Sequence, residues 1–176
     1  RTATADNDKN HYLQGDSNDS NMLTGKGGDD ILVGGNLSDN LLGDSGDDVF
    51  VGGGLNDSIY GGAGTDTAIY SGNFADYVIT NHTDHSVTPY ILINDKRGID
   101  ASAVNVNKLD AGDHLYEVER LVFADGVYII DDKGQITQLK IKQIVTIMDT
   151  EYLLSCKNFV IAFVQVLAND IGIDVL

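Results

Sequence analysis

The chain has 176 residues, with 11 basic against 27 acidic, a formal charge of −16 and a pI near 4.2. Phosphate recognition needs clustered Lys and Arg, so nucleic acid and an anionic membrane surface are excluded as main partners. The single Cys156 excludes an internal disulfide framework and a Cys-rich zinc site; no apolar run reaches the roughly 18 residues of a spanning helix, and no N-terminal charged-then-apolar signal is present.

Charge and glycine are unevenly spread. Residues 1–80 hold 13 Asp, no Glu, three basic residues and 15 of the 20 glycines. Glu would serve a solvated acidic face equally well. Asp alone, set among Gly, suits short turns that hold a cation.

In chain order, residues 1–14 read as an N-terminal linker. Residues 15–80 carry a nine-residue repeat. Stepping from Gly25 gives GKGGDDILV, GGNLSDNLL, GDSGDDVFV, GGGLNDSIY and GGAGTDTAI, preceded by a degenerate copy, DSNDSNMLT, from Asp16. Position 1 is Gly25, Gly34, Gly43, Gly52 and Gly61; position 6 is Asp30, Asp39, Asp48, Asp57 and Asp66. Position 8 is always apolar: Leu23, Leu32, Leu41, Phe50, Ile59 and Ala68.

Each position has a physical reading. Glycine permits positive φ and close approach of carbonyls to an ion. Position 6 offers a hard carboxylate oxygen, the ligand Ca²⁺ prefers, with backbone carbonyls completing the set. Positions 7–9 suit a three-residue strand whose central side chain points inward. Two units then make one coil of a flattened solenoid, with equivalent loops stacked about 4.8 Å apart. An ion-free solenoid would stack carboxylates at that spacing with no counter-ion, at a cost in repulsion.

The repeat resembles the RTX family of calcium-binding parallel β-rolls, whose nonapeptide is G-G-x-G-x-D-x-U-x. The resemblance covers residues 16–69 and implies an all-β chain, a right-handed parallel β-roll capped by a small β-rich region. It also implies Ca²⁺ held between stacked loops by the position-6 aspartates and main-chain carbonyls. On one edge these are Asp30, Asp48 and Asp66 with the carbonyls of Gly25, Gly27 and Gly28, of Gly43, Ser45 and Gly46, and of Gly61, Ala63 and Gly64. Asp39 and Asp57 serve the other edge. There the family's position-4 glycine is replaced by Leu37 and Leu55, which can tuck over the roll and put apolar packing in place of an ion.

Residues 81–130 read as a β-rich cap. Strands are expected at 77–80 and 90–94, flanking a polar turn around His82–Thr88, with a polar loop over 95–113. HLYEVERLVFADGVYII, residues 114–130, resembles the run that follows RTX rolls and reads as strands around an Asp125-Gly126 turn. His82, Asp84 and His85 decorate an exposed turn rather than form a metal cluster.

Residues 131–176 lose most glycine and read as β-rich, with strands at QLKIKQIVTIM and NFVIAFVQVL. FVQVLANDIGIDVL resembles the start of a bacterial cadherin-like or immunoglobulin-like module, which implies a fragment of a longer polypeptide. The competing reading is the C-terminal signal of type I secretion. Cys156 is expected as a buried thiol without a base.

No HExxH, GxSxG, CxxC or P-loop pattern occurs, so no catalytic residue is assigned. The expected function is a non-catalytic calcium-binding module of a large secreted, adhesin-like bacterial protein, extracellular or at the cell surface. Its expected partners are calcium ions, the type I secretion machinery and a glycan or cell-surface ligand reached through the parent protein. The alternative is the accessory module of a secreted protease, lipase or polysaccharide epimerase.

Overall fold

The computed structural model describes residues 1–6, 9–82, 89–97 and 111–140. By contacts the chain divides into a unit at Arg1–Gln138 and a second at Leu139–Leu176. The expected strands beyond residue 140, the cadherin-like stretch and Cys156 lie outside the described residues, as do His85 and Asp84.

The nine-residue period folds as read, two units to a coil. β1 (Thr2–Thr4) and β2 (Tyr12–Gln14) form the first coil, β3 (Met22–Gly27) and β4 (Ile31–Gly35) the second. β5 (Asn40–Ser45) and β6 (Val49–Gly53) form the third, β7 (Ser58–Ala63) and β8 (Thr67–Ile69) the fourth. Odd-numbered strands stack in parallel as one wall, β1-β3-β5-β7, and even-numbered strands as the other, β2-β4-β6-β8. The described residues are all-β, and these eight strands form a parallel β-roll.

Register fixes what faces inward. Leu23, Leu41 and Ile59 are paired along one wall, and Leu32, Phe50 and Ala68 along the other. All six are buried, while their strand neighbours are half-buried or exposed. This is the period-2 alternation of a strand with one face in a core. Because each wall stands one inward side chain per coil above the next, the core is a stack rather than a sphere.

Two expectations about boundaries change. The segment 1–14, expected as a linker, holds β1 and β2, which pair parallel with β3 and β4. The segment 95–113, expected as a loop, includes the start of β11 (Ala111–Tyr116). After β8 a single 3₁₀ turn at Phe74–Asp76 leads into the antiparallel hairpin of β9 (Tyr77–Asn81) and β10 (Ile91–Asp95), close to the strands expected there. β11 then returns between β10 and β7, antiparallel to the first and parallel to the second. β12 (Arg120–Phe123) lies parallel to β8 and is followed by antiparallel β13 (Gly126–Ile130) and β14 (Ile136–Gln138), with the turn at Asp125-Gly126.

The downstream end is sealed by aromatic rings. Phe123 lies 5.4 Å from Tyr70, 5.0 Å from Tyr77 and 5.4 Å from Phe74, and Phe74 stacks on Tyr128 at 4.2 Å. The hairpin is tied to this cluster by Arg97, which donates to the buried Asp95 carboxylate at 2.9 Å and to the Tyr77 hydroxyl at 2.8 Å. A charge so buried needs such a partner. His82 stacks on Tyr90 at 4.6 Å.

Candidate calcium sites

Three of the loops between walls repeat one bend, made of two left-handed residues. On the edge entering β4, β6 and β8 these are position 2, at Lys26 (φ 78), Asp44 (φ 74) and Gly62 (φ 108), and position 4, at Gly28 (φ 95), Gly46 (φ 132) and Gly64 (φ 151). Gly46 shows why position 4 is glycine here. Besides its positive φ, a Cβ on it would collide with the backbone carbonyl of Gly28 in the loop beneath.

On the other edge position 4 is Leu37 and Leu55, both half-buried, and Leu55 adopts φ 67. A left-handed L-residue costs roughly 1–2 kcal/mol, so this loop keeps its shape against local preference. The leucines do not displace the aspartates beside them. Asp39 and Asp57 are as deeply buried as Asp30, Asp48 and Asp66.

The position-6 carboxylates form two ladders at 18-residue spacing. The backbone N–H of Asp30 donates to Asp48 Oδ1 at 2.7 Å, and that of Asp48 to Asp66 Oδ1 at 2.9 Å. On the other edge the N–H of Asp39 donates to Asp57 Oδ1 at 2.8 Å, and that of Asn21 to Asp39 Oδ1 at 2.6 Å. One oxygen of each carboxylate is thereby used. The second, Oδ2 of Asp30, Asp39, Asp48 and Asp66, is buried without a hydrogen-bond partner.

These oxygens point into carbonyl-lined cradles. A Cβ on Gly43 would collide with Asp48 Oδ2 and stand 2.6 Å from the carbonyl oxygen of Gly61. A Cβ on Gly25 would collide with Asp30 Oδ2 and stand 3.1 Å from the carbonyl oxygen of Gly43. Position 1 is glycine because two oxygens converge where its side chain would be. No group of three His, Cys, Asp or Glu side chains converges among the described residues, so a ligand set must draw on the backbone. A buried anionic oxygen beside main-chain carbonyls, with flexible multi-oxygen geometry, fits Ca²⁺.

The electrostatics of the loops agree. Burial, then the neighbouring charges of Asp30, Asp29 and Asp47, pushes Asp48 up to about 6. Burial, then Asp48, Glu119 and Asp47, pushes Asp66 up to about 7. Asp39 is also raised, mainly by burial. A bound divalent cation reverses this preference for the neutral acid.

A family model of the RTX calcium-binding nonapeptide repeat, in four copies, matches residues 16–50, 33–68 and 42–78. Residues 16–78 are RTX repeats. No curated protein matches the chain. The RTX array thus occupies the part of the roll where the carboxylate ladders are richest in aspartate, and its repeats are calcium-binding ones.

Sequence reasoning placed every position-6 aspartate of the RTX array on its ladder, with Asn21 at position 6 of the degenerate copy, and missed His11, Asp113 and Glu119 at the ladder ends. His11 stands beside Asp30, donating its N–H to Asp30 Oδ1 at 2.7 Å, and Asn21 stands beside Asp39. Asp113 and Glu119 extend the ladders downstream. A weak signal was present: HYLQ, DHLY and ERLV each read as positions 6–9 of a repeat lacking its glycines. An outer, exposed ladder at position 5 was also missed, in which the N–H of Asp47 donates to Asp29 Oδ1 and that of Thr65 to Asp47 Oδ1.

Two predictions arise here. Asp48 has an aspartate on either side in its ladder, whereas Asp39 has neutral Asn21 on one side. Asp48→Ala should therefore remove more bound calcium than Asp39→Ala, counted by equilibrium dialysis; equal losses would show the two edges to be equivalent.

The second concerns pH without calcium. Asp48 and Asp66 hold their protons more tightly folded than unfolded, so the stability they contribute is present below about pH 4 and is lost as pH rises through about 6 and 7. In chelator, lowering the pH from 8 to 5 should raise the β signal in circular dichroism. A β signal that falls on the same change would contradict the buried-acid picture.

Proposed function

We propose that this chain is a non-catalytic module of a secreted, adhesin-like protein, which crosses the membrane unfolded through a type I system and folds outside the cell on meeting Ca²⁺. One observation carries the reading: a row of buried carboxylate oxygens without hydrogen-bond partners, which at neutral pH a cation would satisfy. Inside the cell, where free calcium is scarce, the acidic coils repel one another and stay open. Outside, ion binding and folding are one event. The roll then serves as a rigid spacer, and any glycan or cell-surface ligand is met by the parent protein.

The discriminating quantity is affinity. Calcium titration by calorimetry should give dissociation constants in the range of extracellular modules, roughly 10⁻⁴–10⁻³ M. Submicromolar binding would fold the module before export and overturn the reading.

A further inference from the structure

The RTX match ends at residue 78, but the parallel roll continues. β11 stacks on β7 through His114↔Ser58, Leu115↔Ile59 and Tyr116↔Tyr60, and β12 stacks on β8 through Arg120↔Thr67, Leu121↔Ala68 and Val122↔Ile69. Residues 111–123 are thus a fifth coil, delivered after the β9–β10 excursion. Extending the register by one residue sets Asp113 beside Asp57, Glu117 beside Gly61 and Glu119 beside Asp66.

Hydrogen bonds show the same equivalence. The N–H of Asp57 donates to Asp113 Oδ1 at 2.8 Å and that of Asp66 to Glu119 Oε2 at 2.8 Å, as in the ladders above them. The fifth-coil loop is three residues shorter than its neighbour, since Glu117 to Glu119 spans what Gly61 to Asp66 spans. The extra methylene of glutamate lets position 6 reach the same N–H from this shortened loop.

The cradle is also repeated. A Cβ on Gly61 would collide with the carbonyl oxygen of Glu117 and stand 2.6 Å from Asp66 Oδ2. Asp66 is fully buried, and its Oδ2 has no hydrogen-bond partner. The cradle at Asp48 has the same composition, with Gly61 in the place of Glu117.

We propose that Glu117 through its carbonyl and Glu119 through its carboxylate complete a calcium site with Asp66, so that calcium locks residues 111–123 onto the RTX array. This rests on the calcium reading of the array and extends it to residues outside the repeats. Its consequence is order: the β9–β10 hairpin and the strands after β12 dock only once the last ion is bound.

The test uses the full chain, with calcium counted by calorimetry and hydrogen exchange followed in residues 111–123 and 22–53. Gln at 119 can still accept from the Asp66 N–H but carries no charge. Glu119→Gln should lose one ion and need at least threefold more calcium to protect 111–123, with 22–53 protected as before. Glu117→Gln removes the same charge from a residue that acts through its carbonyl, and should keep the ion.

An unchanged ion count and midpoint in Glu119→Gln would overturn the proposal. So would an equal loss in Glu117→Gln, which would reduce the effect to general charge. Asp48→Asn separates the two levels: if it too keeps every ion, the calcium reading itself fails, and this inference with it.

Discussion

In excess chelator at neutral pH the chain should lose most of its β signal, and millimolar Ca²⁺ should restore it and raise the melting temperature. Three carboxylates of one ladder, Asp30, Asp48 and Asp66, are buried one above another, and Asp48 also feels the charges of Asp29 and Asp47. The inward row supplies one apolar side chain per strand, too little to hold such charges against chain entropy unaided. Each site filled at ten times its dissociation constant, as millimolar Ca²⁺ gives for a site of 10⁻⁴ M, adds about 1.4 kcal/mol to the folded state. Four such sites together reach the lower end of the stability of an ordinary small domain, which is roughly 5–15 kcal/mol in all. Mg²⁺ should substitute poorly, since it demands a tighter octahedron and retains its waters. Circular dichroism decides the matter: a spectrum indifferent to chelator at pH 7 would mean the aspartates are tolerated without ions.

Phe50→Ala should raise the calcium concentration needed for folding several-fold. Phe50 is fully buried, paired in register with Leu32 on one side and with Ala68 on the other. Ala68 cannot fill the space left, and Phe→Ala in a core costs about 3–5 kcal/mol. A tenfold rise in free calcium supplies about 1.4 kcal/mol per ion taken up on folding, so uptake of several ions makes up the loss within about a decade. Val49 precedes Phe50 on β6, is half-buried, and faces away from the stack. Val49→Thr keeps the β-branched shape and should fold at nearly the parent calcium concentration. Comparable damage from both substitutions would place the wrong face of β6 inward.

Period nine was enough to read the walls of the roll. It assigned Leu23, Leu41 and Ile59 to one wall and Leu32, Phe50 and Ala68 to the other, and it set the aspartates of each edge at 18-residue spacing, because strand, turn and ligand all recur within one short unit. Composition likewise tied the acidic, Gly-rich half to a hard cation.

What the period could not supply was how far the roll extends. β1, β2, β11 and β12 lack the glycines of the repeat, so at most a faint trace of positions 6–9 marks them as coils; they are recruited by the open edges of β3, β4, β7 and β8, which offer unpaired backbone groups and an uncovered core row. Glu119 is two residues from Glu117 in sequence and 53 from Asp66, yet it is Asp66 whose N–H it accepts. The leucine-bearing edge followed the same logic. Sequence marked Leu37 and Leu55 as departures, while the stacked coils hold Asp39 and Asp57 in a buried ladder of the same kind as that of the other edge. Local pattern specified which residues turn and which point inward, and the unpaired edges of a solenoid decided which distant segments finished it.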